Sequence, residues 1–212
     1  MQNCGVYLDK NVSINSCISP DRQAVRDFFE YLRLNPGLGI VTQDDFNSTR
    51  KKLGKIVSGR PNSMEIINRY DCMEAFLKLD NIPHTQLQDV QEIKDSFDNI
   101  VAKRKMEMGY PISISEPFQE IFIKLHFPYN DSERSQTRKL FCESIEYEDA
   151  IVISKVKHLK KDYYNMFLAS FDNHIRSQMS KEMLKGMGII SGAPNEILPQ
   201  IKGCQTYIQH ST

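Results

Sequence analysis

Five cations lie between Asp45 and Glu65 with no acid among them: Arg50, Lys51, Lys52, Lys55 and Arg60. They sit in the stretch STRKKLGKIVSGRPNS, residues 48–63. On a helical projection Lys51, Lys52 and Lys55 fall together opposite Phe46, Leu53 and Val57, while Arg50 flanks the apolar stripe. A second block, KVKHLKKDYYNMF, places Lys157, Lys160, Lys161 and Tyr164 on one helical face. Val152, Val156, Leu159, Tyr163 and Met166 share the other. Converging ammonium groups beside an exposed tyrosine can neutralise phosphates and stack a base. The competing reading is that both blocks are solvated faces of amphipathic helices, which every bundle has.

Gly54 and Gly59 have the spacing of a phosphate-binding loop, G-x-x-x-x-G-K followed by Ser or Thr. Arg60 and Pro61 occupy the last two places, however. The hydroxyl that would hold magnesium is missing, and a proline removes one amide donor from the cradle. Gly59 is therefore read as a helix stop.

No nucleophile with a base, no carboxylate dyad and no metal-ligand spacing is recognisable. The histidines, at positions 84, 126, 158, 174 and 210, are isolated. Asp172 and His174 flank Asn173, and residues two apart do not share a helical face, which argues against a metal there. The sequence thus predicts no enzyme, no cofactor and no metal site. Two acidic blocks, Asp89–Glu92–Asp95–Asp98 and Glu143–Glu146–Glu148–Asp149, answer the basic ones. They suit self-association or a charged partner, or else bridging between helices. Met179, Met183 and Met187 recur every fourth residue, the pattern of a pliable docking stripe or of core.

The totals set the frame. With 27 Lys+Arg against 27 Asp+Glu, no global field draws the chain to a polyanion, so electrostatic preference must be local. Apolar residues at 40% and charged residues at 25% fit a globular protein of 212 residues. Trp is absent while Ile, Asn and Lys are plentiful, a bias compatible with an AT-rich genome such as many viruses or parasites have. Five scattered cysteines give no zinc or redox spacing. Cys72 and Cys142 fall in helical patterns, where a buried free thiol is expected. The chain starts MQNCGVYLDKNV, without a signal peptide, and has no apolar run long enough to span a bilayer. A cytoplasmic or nuclear, non-secreted protein is expected.

Apolar periodicity then supplies the elements. Residues 1–18 read as an arm or short hairpin turning at DKN, residues 19–188 as a helical domain, and 189–212 as a tail. Helices are expected after Ser19, after Thr42, from Ser63, from about Thr85, and from Asp149 to Met187 with a break near SFDNH. Residues 111–130 fit helix or strand. The expected architecture is mainly α, a single-domain bundle of about seven or eight helices. The expected function is non-enzymatic binding of single-stranded RNA with self-association. The alternative is an adaptor acting through protein contacts alone.

Overall fold

A computed structural model describes residues 2–83, 87–107 and 145–209. It overturns the expected all-helical bundle: five strands form an all-parallel sheet in the order β3-β2-β1-β4-β5. The strands are β1 (Gln2–Leu8), β2 (Gly39–Thr42), β3 (Lys78–Asp80), β4 (Tyr163–Ala169) and β5 (Ile189–Gly192). The helices that connect them are α1 (Lys10–Ile18), α2 (Gln23–Leu34), α3 (Gln43–Val57), α4 (Ser63–Asp71), α5 (Val90–Glu107), α6 (Tyr147–Leu159), α7 (Asn173–Arg176), α8 (Gln178–Gly186) and α9 (Pro194–Gln209).

The expected N-terminal hairpin does not form. GVYL belongs to β1, the central strand, flanked by β2 and β4, and DKN opens α1. The periodicity from Asp149 onward also fails. α6 stops at Leu159, and YYNMFLA is a strand whose last four residues are buried. A parallel strand covered on both faces is apolar without alternation, so i, i+3 and i+4 matches arise in it by composition. The expected loop tail becomes β5 and α9.

Side chains alternate between two cores, as the pleat demands. Val6, Leu8, Val41, Phe167 and Ala169 join one core with Cys17 of α1, Leu32 of α2, Leu53 of α3, Tyr70 of α4 and Ile201 of α9. Tyr7, Ile40, Met166 and Leu168 join the other with Phe97 of α5, Ile153 of α6 and Leu184 of α8. The helices thus cover both faces of a doubly wound sheet.

Several helical stripes are those the periodicity picks out. Thr42 caps α3 by accepting from the Asp45 amide at 3.2 Å, and Phe46, Leu53 and Val57 face inward, whereas Ile56, which the periodicity also places on the apolar stripe, is exposed. Ile66, Tyr70, Met73 and Leu77 are buried, as are Val90, Ile93, Phe97 and Val101. α2 starts later than the Ser19 cap suggested, with Arg22 at its N-cap. Cys72, expected inside, is exposed. The ambiguous stretch 111–130 and Cys142 lie outside the described residues.

Gly5 shows how tightly the central strand is packed. A Cβ there would lie 2.7 Å from Ile40 Cδ1 and 2.8 Å from Tyr163 Cδ1. Gly5→Ala is therefore expected to destabilise the fold by about 1–3 kcal/mol through overpacking, read from the midpoint of urea unfolding. An unchanged midpoint would contradict this packing.

Candidate metal centre

The sheet changes winding direction between β1 and β4. The chain steps outward from β1 to β2 and β3, then returns across α5 and α6 to lay β4 on the other side of β1. At such a switch point the carboxyl ends of adjacent strands leave a crevice. Here Leu8 pairs with Ala169, and the next residue of each strand enters that crevice.

Asp9 follows β1 and donates its amide to the Ala169 carbonyl at 3.0 Å. Its carboxylate accepts from Ser170 Oγ at 2.6 Å and from Asn11 Nδ2 at 2.8 Å. Asn11 in turn accepts from the Phe171 amide at 3.0 Å, and Ser170 Oγ accepts from the Asp172 amide at 2.9 Å. The two strand ends are thereby stitched together. Asp172 is the N-cap of α7 and accepts from the His174 amide at 2.8 Å. Asp149 comes from the other direction. It occupies the first turn of α6, in a capping box with Glu146 whose amide it accepts at 3.0 Å.

Ligand atoms of Asp149, Asp172 and His174 all lie within 4.8 Å of one another, close enough to share one cation. The helical-face argument against Asp172 and His174 does not apply, because Asp172 has extended backbone and stands outside the helix it caps. Burial raises the Asp149 carboxyl to about 6, and Asp172 and Asp9 add like-charge repulsion that His174 partly relieves. Burial also raises Asp9, again with Asp172 contributing. Among the described residues no lysine or arginine forms a salt bridge with any of the three carboxylates.

A second acidic group nearby is handled in the opposite way. Asp45, at the start of α3, is buried with Lys155 of α6, whose Nζ donates to it at 2.6 Å. The Tyr7 hydroxyl also donates to Asp45, and Lys10 pairs with it at 3.3 Å. Burial works to raise this carboxyl, but Lys155 and Tyr7 outweigh it and the net displacement is downward. Asp45 is thus already neutralised from within, while among the described residues Asp9, Asp149 and Asp172 have no lysine or arginine salt bridge.

The residues singled out for nucleic acid divide between the two faces of the sheet. Arg50, Lys51, Lys52 and Lys55 ride on α3 over one core, and Lys157 rides on α6 over the other. The two blocks therefore do not meet as one helical groove. Arg50 is tied to Asp71 in a bidentate pair at 2.7 and 2.8 Å, and Lys157 is paired with Asp89 at 2.7 Å. Lys51, Lys52, Lys55 and Arg60 are exposed. Lys160, Lys161 and Tyr164 lie beyond α6 around the start of β4. Met179 is buried, and Met183 and Met187 pack against the second core. Of the acidic blocks, Asp89 and Asp98 are bridged within the chain, the latter by Lys94 at 2.5 Å.

Asp9, Asp149, Asp172 and His174 were not assigned a role by spacing, because they belong to three separate elements. One signal was present: VYL and FLASF are apolar runs that each end in aspartate, the mark of a parallel strand delivering an acid to its carboxyl edge. Comparison with models of known protein families, with curated proteins and with solved structures finds no match.

The Asp149 environment has a measurable consequence. A carboxyl raised in the folded state binds protons that the unfolded chain releases, so its ionised form costs stability above about pH 6. That cost fades as the pH falls through 6 toward the ordinary aspartate range. Asp149→Asn is expected to stabilise the metal-free protein by about 1–2 kcal/mol at neutral pH, after discounting for solvent. The gain should vanish near pH 4 in thermal melts. A variant destabilised equally at both pH values would contradict the like-charge account.

Proposed function

We propose that the chain is a divalent-cation-dependent phosphodiesterase that cleaves single-stranded nucleic acid, with RNA as the leading substrate. The observation that carries this reading is the convergence of Asp149, Asp172 and His174 beside Asp9 at the switch point of the sheet. Oxygen ligands from carboxylates suit magnesium or manganese, and one imidazole favours manganese within that pair. This replaces the expectation of binding without catalysis.

The same crevice disfavours a nucleotide cofactor bound directly. Asp9 and the first residues of α1, Lys10-Asn11-Val12, supply no glycine to the first strand-to-helix turn. A carboxylate stands where a phosphate would approach the helix end. Phosphate enters such a crevice only with a cation between the two anions.

Cations beside the acids support an anionic substrate. The Arg22 guanidinium is exposed and lies 5.1 Å over the ring of Phe171, the neighbour of Asp172. α3 begins at this edge, where Asp45 meets Lys10, and then runs away from it. At 1.5 Å per residue, Lys51 stands about 9 Å and Lys55 about 15 Å along the helix from Asp45. These lysines are exposed and form no ion pair among the described residues. They can track the backbone of a polymer beyond the scissile phosphate.

In the reaction, water attacks phosphorus in line with the leaving oxygen. One P–O bond forms, the ester P–O bond breaks, and the proton from water ends on the leaving alcohol. Asp149, Asp172 and His174 would hold a cation, which when bound would supply Lewis acidity to the phosphoryl oxygen and an acidified water. Ser170 and Asn11 orient Asp9, whose carboxylate can accept the proton of the attacking water.

The test is cleavage of labelled single-stranded RNA and DNA by purified protein with manganese, with magnesium and with EDTA. Cleavage is expected with either metal and abolished by EDTA. Asp172→Asn is expected to lower kcat by about 100-fold or more, as removal of a charged ligand does. Lys51→Glu/Lys52→Glu/Lys55→Glu should raise KM and spare kcat. Metal-independent cleavage, or an Asp172→Asn variant as active as the parent, would defeat the proposal.

A further inference from the structure

A second concavity, of about 580 Å³, opens at the opposite end of the sheet, where β4 and β5 begin. Lys160, Lys161 and Lys185 line it together with Tyr164, Asn165 and Gly188, and among the described residues no acidic side chain does. Asp162 follows Lys161 in the chain but is not part of the lining.

The pocket is organised by its glycine. Gly188 turns from α8 into β5 at φ +75°, and a Cβ there would fall 2.8 Å from Lys160 Cε. Its absence lets the Lys160 stem lie against the turn. The Lys160 ammonium then donates to the Tyr164 carbonyl at 2.8 Å and to the Tyr163 carbonyl at 3.4 Å. Lys160 is thus held in place, and Lys161 and Lys185 stand exposed on either side without an ion-pair partner among the described residues. Tyr164 keeps 72% of its surface exposed, although the next strand residues inward are covered. The pocket thus joins a largely exposed aromatic ring to two cations that have no ion pair among the described residues. It has the composition of a single-strand binding surface, in which lysines follow phosphates and a ring accepts a base.

We propose that this pocket is a separate binding site for single-stranded RNA, with Lys161 and Lys185 on phosphates and a base stacked on Tyr164. It shares a ligand class with the catalytic reading above but does not depend on the metal. β4 is seven residues long, so the pocket and the carboxylate cluster are separated by about 20 Å along the strand. Only an oligonucleotide of several residues reaches both. The site therefore selects long substrates over dinucleotides.

The test is fluorescence anisotropy of a labelled oligoribonucleotide with the full chain in EDTA, where cleavage is switched off. All three substitutions are at exposed positions, and circular dichroism checks that the variants fold. Lys161→Glu/Lys185→Glu is expected to weaken binding by about tenfold or more. It should also flatten the plot of log affinity against log salt by about 1.4, two phosphate contacts' worth. Tyr164→Ala is expected to weaken binding about 5- to 100-fold with the salt slope unchanged. Unaltered affinity and slope in the folded variants would overturn the proposal. So would equal loss for a dinucleotide and a long oligonucleotide. If wild type binds RNA through this pocket but cleaves nothing with any metal, the catalytic reading fails and this one stands.

Discussion

Three carboxylates held together at one end of a sheet repel one another, and the fold spends stability to keep them there. Asp9 is fixed by Ser170 and Asn11, Asp149 by its capping box with Glu146, and Asp172 by its place at the head of α7. Each of these hydrogen bonds orients an acid without neutralising it. At the same edge the chain neutralises another acid, since Asp45 is enclosed by Lys155, Lys10 and the Tyr7 hydroxyl. The contrast marks the carboxylate cluster, which has no lysine or arginine salt bridge among the described residues, as a candidate place for a mobile positive charge.

The sheet order explains why the acids can meet at all. Asp9 and Asp172 are far apart in sequence, yet β1 and β4 are parallel neighbours in register, so their carboxyl ends arrive side by side. α6 lies between β3 and β4 in the chain and brings its N-terminal turn, with Asp149, to the same edge. A parallel sheet gathers strand ends from one direction and helix N-termini from the other, which is why chemistry collects at this edge. The opposite edge collects the beginnings of β4 and β5, and here those beginnings are basic.

Much of the helical layer was legible in the sequence. Thr42 as a cap, the α3 stripe of Phe46, Leu53 and Val57, and the α5 stripe through Phe97 all follow from periodicity and capping chemistry. The sheet was not legible, for a physical reason. β4 is covered by helices on both faces, so YYNMFLA has no polar alternation to distinguish it from a buried helix turn. β1 was open to a strand reading, but as one arm of a hairpin turning at DKN rather than as the central parallel strand, where Ile40 and Tyr163 leave no room for a side chain on Gly5. Once the strands are misread, Asp9 becomes a turn residue, Asp149 one acid among several on a helix, and Asp172 a partner on the wrong face for His174. The lysines were visible, but the division of α3 and α6 between the two faces depends on sheet order and could not be read from either helix alone.

The most direct test is a crystal structure of the chain soaked with manganese, with anomalous scattering recorded at the metal edge. The account places one strong anomalous peak among the side-chain ligand atoms of Asp149, Asp172 and His174, and Asp172→Asn should remove it. A well-ordered edge with no peak at saturating manganese, or a peak bound elsewhere and indifferent to that substitution, would contradict it.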